Sequence, residues 1–136
     1  MTDIELYQLA EEAAGGAYAP FSGYKVGAAL LTEGGKVYTG ANVENSSYGA
    51  AICAERTAAV KAVTAGERHF TALAVAAPGT GTAAWPCGIC RQFLFEFGGD
   101  LHVVTGEDAS ALETATLNEL LPHGFKLEKM GETGDE

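Results

Sequence analysis

Apolar residues recur at Leu6, Leu9, Ala10 and Ala13, the i, i+3, i+4, i+7 spacing that predicts a surface helix over residues 4–14. Thr2 can cap it with Glu5 as capping-box partner, and Gly15-Gly16 end it. An aromatic loop follows, Tyr18-Ala19-Pro20-Phe21-Ser22-Gly23-Tyr24, read either as a plug sealing the core or as a place where a ring meets a flat ligand. Val26–Leu31 and Lys36–Gly40 then read as a hairpin through Glu33-Gly34-Gly35, with small residues on its first strand that let a helix pack close. The polar stretch Asn42–Gly49 has no period and leads into an alanine-rich helix over 53–63, which Gly66 stops.

Residues 69–77 are almost continuously apolar, as in a strand covered on both faces. Pro78–Thr82 is glycine-containing but lacks the spacing of a phosphate cradle, so it reads as a loop. Pro86 signals a helix start, and Cys90, Phe93, Leu94 and Phe97 mark one face of a helix closed by Gly98-Gly99. A short strand over 101–104, a weaker one over 112–116 and a helical turn ending at Pro122 complete the pattern. Strands alternating with helices imply a layered α/β domain over residues 1–130, followed by an acidic tail, 131–136, expected to be disordered.

Charge narrows the partners. Eighteen acidic residues face eight basic ones, and a net charge of -10 repels phosphate backbones, which disfavours a nucleic-acid partner. The acidic N-terminus is unlike a signal peptide, and no apolar run approaches the about 18 residues of a membrane span, so a cytoplasmic protein with no membrane partner is expected. At 136 residues the chain can bury roughly two-thirds of its unfolded surface without a staple.

The three cysteines change the picture most. All fall in two segments, Cys53-Ala54-Glu55-Arg56 and Pro86-Cys87-Gly88-Ile89-Cys90, and each segment opens a predicted helix. Helix N-termini favour the thiolate that zinc requires. Three thiolates leave the fourth tetrahedral position for water, as in a catalytic zinc site. A structural zinc or a redox pair are the competing readings; a closed site needs a fourth ligand, which His69, His102 or His123 could supply, though a packing or surface role fits each of them better. Glu55 is either a first-turn acid favoured by the helix dipole or the group that takes the water's proton. Arg56 is either a surface cation or a donor to a thiolate, which would restore electrophilicity to a zinc core that three thiolates leave one charge negative.

The order Cys-x-Glu followed by Pro-Cys-x-x-Cys is the zinc-deaminase signature in its all-cysteine form. From Tyr18 to Phe125 the chain resembles the small homotetrameric cytidine deaminases, through Tyr18–Ser22, Val26–Leu30, Gly40–Asn45, Cys53–Ala58, Pro86–Gln92 and Leu120–Pro122 in the same order. The resemblance implies a three-layer α/β/α sandwich around a five-stranded mixed sheet, one Zn2+ per subunit, and a homotetramer with shared active sites. It implies that Asn42 and Glu44 bind the ribose, that Tyr24 and Phe125 pack on the pyrimidine, and that the backbone near Ala54 and the Cys87 turn hold the base edge. Phe125 would reach in from a neighbouring subunit, and Tyr48 and the backbone of Ser46 would lie near the 5'-hydroxyl across an interface. The positions of Tyr24 and Ala41 are often Phe and Cys in that family. Hydrolysis of cytidine and 2'-deoxycytidine in pyrimidine salvage is the expected activity. The rivals are a blasticidin-type deaminase, against which Asn42-Val43-Glu44-Asn45 weighs, and a zinc-stabilised RNA-binding domain, against which the acidic balance weighs.

Overall fold

The computed structural model describes residues 1–130, so the acidic tail 131–136 lies outside the described residues. Its elements run α1 (Asp3–Ala13), β1 (Gly27–Thr32), β2 (Val37–Ala41), α2 (Ala54–Thr64), β3 (Phe70–Ala76), α3 (Gly88–Phe95), β4 (His102–Gly106), β5 (Leu112–Thr116) and α4 (Leu117–Leu120). The five strands form one sheet in the order β2-β1-β3-β4-β5. β3 and β4 are parallel and the other pairs antiparallel, the mixed sheet that was expected. A parallel pair needs a long crossover, and here the β3–β4 crossover carries α3.

Strand alternation sorts the core into two layers. Ala28, Leu30, Leu73, Val75 and Val103 face Ala54, Ala58, Ala59 and Ala62 of α2 and Leu94 of α3. Ala29, Ala72, Ala74, Ala76 and Val104 point the other way, onto Leu6, Tyr7 and Ala10 of α1. Residues one apart on a strand serve opposite faces, so the buried part of β3, Ala72 to Ala76, has to be apolar at every position. β5 is half exposed, which is why its apolar signal is weak.

The α1 capping box forms as expected, with Thr2 Oγ1 accepting from Glu5 N and Glu5 Oε1 accepting from Thr2 N. Its buried stripe is rotated from the predicted one: Leu6, Tyr7 and Ala10 are buried, whereas Leu9 and Ala13 are only half-buried. Tyr7 can sit in the core because its hydroxyl donates to the carbonyl of Gly106, at 3.1 Å.

Two glycines let the helices close on the sheet. A Cβ at Gly27 would lie 1.9 Å from Ala10 O and 2.4 Å from Ala14 N, and one at Gly40 would lie 2.5 Å from Ala58 N and 2.8 Å from Ala54 O. Both clashes are with helix backbone, which no rotamer change relieves. Gly40 has the wider consequence, because it fixes the depth at which α2, and with it the N-terminus of α2, rests on β2. Gly27→Ala is expected to destabilise the protein by at least about 2 kcal/mol, read as a lower urea midpoint at unchanged m-value.

Candidate metal centre and cleft

Cys53 is the N-cap of α2 and Cys87 the N-cap of α3, both with extended backbone and neither side chain spent on capping its helix. Cys90 follows in the first turn of α3 and is fully buried. Because α2 and α3 lie on the same face of the sheet, the two N-termini meet. The three Sγ atoms lie within 4.8 Å of one another, and Cys53 Sγ is 3.8 Å from Cys87 Sγ.

A tetrahedral zinc with Zn–S bonds of about 2.3 Å has sulfur–sulfur edges of about 3.8 Å, so the cluster fits that ion. Among the described residues no fourth His, Cys, Asp or Glu atom joins it. His102 is engaged elsewhere, its Nε2 lying 3.1 Å from Asp3 Oδ2. The set therefore has the open count of a catalytic zinc rather than the closed count of a structural one.

The charges around the thiols are arranged for metal binding. Arg56, one turn after Cys53, places Nη2 3.6 Å from Cys53 Sγ. The Cys53 thiol is lowered to about 5, chiefly by its hydrogen bond with Cys90 and further by Arg56 and Cys87, against the cost of burial. Cys90 is pushed up by the same shared hydrogen bond and by its burial. Cys53 is thus the first of the pair to give up its proton. The Nε of Arg56 is buried with no hydrogen-bond partner, although the residue as a whole is only half-buried.

Glu55 is 4% exposed, and burial lifts its carboxyl to about 7. Its own backbone N–H and Arg56 pull the value down, while the Cys53 thiolate pushes it up. A carboxyl that titrates near neutrality can both take and return a proton. Glu55 opens onto a cleft of about 220 Å³ together with Cys53, Cys87, Ala54, Asn42 and Tyr24, so six of the residues singled out in the sequence share one cavity.

The remaining expected contacts are distributed differently. Asn42 fastens the aromatic loop to the start of β1: its Oδ1 accepts from Val26 N at 2.9 Å and its Nδ2 donates to Tyr24 O at 2.8 Å. Glu44 accepts from Phe21 N at 2.9 Å, from Ser22 N at 3.2 Å and from the Ser22 hydroxyl, and the hydroxyl above all holds its carboxyl below the usual range. Glu44 and Tyr48 line a second hollow, of about 230 Å³, with Phe21, Asn45 and Ala51. Ser46 is exposed and lines neither hollow. Phe125 is 62% exposed and outside the cleft of its own chain.

Four cleft residues were missed from the sequence: Val26, Val75, Ala84 and Trp85. Trp85 had a signal, being the chain's single tryptophan and adjacent to Pro86-Cys87. Buried Thr105 on β4 accepts from Ala84 N at 2.8 Å and so anchors the wall that Ala84 and Trp85 form.

The family model described as "Cytidine and deoxycytidylate deaminase zinc-binding region" matches residues 1–107. The chain is 45% identical to the cytidine deaminase of Sporosarcina psychrophila over 121 residues, 88% of each chain. With that of Halalkalibacterium halodurans it shares 44% over 128 residues, 93% of this chain and 96% of the relative. A crystal structure of cytidine deaminase from Burkholderia pseudomallei superposes with a TM-score of 0.86 at 45% identity, covering 92% of this chain and 100% of that one. A blasticidin-S deaminase of Bacillus cereus is more distant, 29% identical over 127 residues, 88% of this chain and 89% of the relative.

If Arg56 stabilises the thiolates, Arg56→Ala weakens zinc binding about 10–100-fold, measured by competition with a chromogenic chelator.

Proposed function

The chain belongs to the cytidine and deoxycytidylate deaminase zinc-binding family and is a zinc-dependent hydrolase that deaminates cytidine; we propose that it also takes 2'-deoxycytidine, that Glu55 carries the protons, and that it works as a cytoplasmic homotetramer with shared active sites in pyrimidine salvage. The observation that carries the proton role is that a buried carboxyl lifted to about 7 opens onto the same cleft as the thiol cluster.

Cys53, Cys87 and Cys90 would hold the zinc, which would supply the Lewis acidity that activates water near neutral pH. The rest falls to the chain. Glu55 accepts the proton of the attacking water and gives it to N3 of the cytosine, which makes C4 electrophilic. After water oxygen has bonded to C4, Glu55 takes the second proton of that oxygen and delivers it to the exocyclic nitrogen. The C4–N bond breaks, and uridine and ammonia leave, with the carboxylate restored. Arg56 draws electron density from Cys53 throughout, and Tyr24, Ala54 and the Cys87 turn bound the space for the flat base.

Asn42 and Glu44 would both bind the ribose; in support, Asn42 lines the cleft, and Glu44 stands two residues on in the same polar stretch, where it holds the Phe21–Ser22 loop. Tyr48 is 89% exposed and Phe125 62% exposed, as expected of side chains whose contacts lie on another subunit. Sharing of sites between subunits would bring Phe125 to the base and Tyr48 and the Ser46 backbone to the 5'-hydroxyl. Among the described residues no helix is long and apolar enough to cross a membrane.

Ammonia release should be rapid with cytidine and deoxycytidine and negligible with blasticidin S or a short RNA. Glu55→Gln is expected to retain stoichiometric zinc by metal analysis and to lose about 10²–10⁴-fold in turnover; a variant as active as the parent would end the assigned role. Sedimentation of the native enzyme should give the mass of four chains.

A further inference from the structure

Gln92 lies on α3, five residues after Cys87, and its side-chain amide grips the backbone of Phe125 at both polar groups. Nε2 donates to Phe125 O at 2.7 Å, and Phe125 N donates to Oε1 at 3.4 Å. A primary amide presents a donor and an acceptor side by side, as a neighbouring strand would, so it can hold a residue that has no ladder. Phe125 is such a residue, since the described chain after α4 contains no helix or strand.

Two more contacts from the same helix fasten the same segment. Arg91 Nη1 donates to Leu120 O at 2.8 Å, while its Nε donates to Pro86 O at 2.7 Å, just before the first α3 ligand. Gly124 is pressed against Phe95, so that a Cβ there would meet two ring carbons at 2.8 Å. The backbone of 120–125 is therefore held by α3, yet the Phe125 ring projects into solvent. Burial within its own chain does not account for that arrangement.

We propose that Gln92 is a positioning residue for the deamination, its amide setting the Phe125 ring at the angle needed to pack on a pyrimidine in a neighbouring subunit's cleft. The inference rests on the proposal that subunits share their active sites through Phe125. One rigid helix then carries Cys87 and Cys90 for its own subunit's zinc and aims an aromatic ring at another subunit's substrate. Gln92 touches no substrate and acts through Phe125.

The test is steady-state kinetics with cytidine on purified holoenzyme, with zinc content and native mass measured in parallel. Gln92→Leu should raise KM about tenfold with kcat within about twofold, at unchanged zinc and mass. Phe125→Ala should also raise KM, and the double variant should be no worse than Phe125→Ala alone. Gly124→Ala displaces the same segment without touching Gln92 and should raise KM likewise, which covers the case of a Gln92→Leu protein that does not fold. If Phe125→Ala leaves KM unchanged, the shared-site reading falls and this inference with it. If Phe125→Ala raises KM while Gln92→Leu and Gly124→Ala do not, or if the Gln92 and Phe125 effects multiply, the positioning role alone is overturned.

Discussion

The constraint on which the site depends is the meeting of two helix N-termini on one face of the sheet. A thiol at the N-cap of each helix, with a third one turn further on, can converge only if α2 and α3 lie side by side at the same depth. That depth is set beside the thiols, where Gly40 admits the first turn of the α2 backbone against β2, and further along α2, where its alanines pack on Ala28 and Leu30. Small residues in the core are thus a requirement of the chemistry. The helix dipoles then add partial positive charge where thiolate charge collects.

Electrostatics within this corner are opposed in a useful way. Arg56 offsets the thiolates and helps keep Cys53 ionised, whereas burial keeps Glu55 from being a plain carboxylate at neutral pH. Two acids two residues apart are therefore driven in opposite directions by their surroundings. The cysteine is made a better ligand and the glutamate a better proton carrier, and neither outcome would follow if both were solvated.

The aromatic loop is held in a similarly economical way. Asn42 and Glu44 both spend hydrogen bonds on residues 21–26, so the polar stretch before α2 builds the rim of the cleft before any substrate is bound. On the other side, Thr105 holds Ala84 and thereby Trp85 and the approach to Cys87. Rim and wall are preorganised by buried or multiply bonded side chains, which limits the entropy lost when a nucleoside enters.

The amino-acid order by itself determined the elements and their order, the capping box of α1, and the pairing of three cysteines at helix starts with an acid beside the first of them. Those features are written in short-range periodicity and in spacings of two to four residues, which act within one turn or one strand. It also carried the aromatic loop and the polar stretch, though not which of their groups would face a common cavity. Only the tertiary structure decided that Tyr7 rather than Leu9 fills the α1 face, that Val75 and Trp85 wall the cleft, and that Glu44 lies in a second hollow. It likewise assigned Gln92 to the backbone of Phe125, across 33 residues of sequence. Contacts of that kind depend on which strands are neighbours and how deep each helix sits, and those distances are properties of the packed layers rather than of any local run of residues.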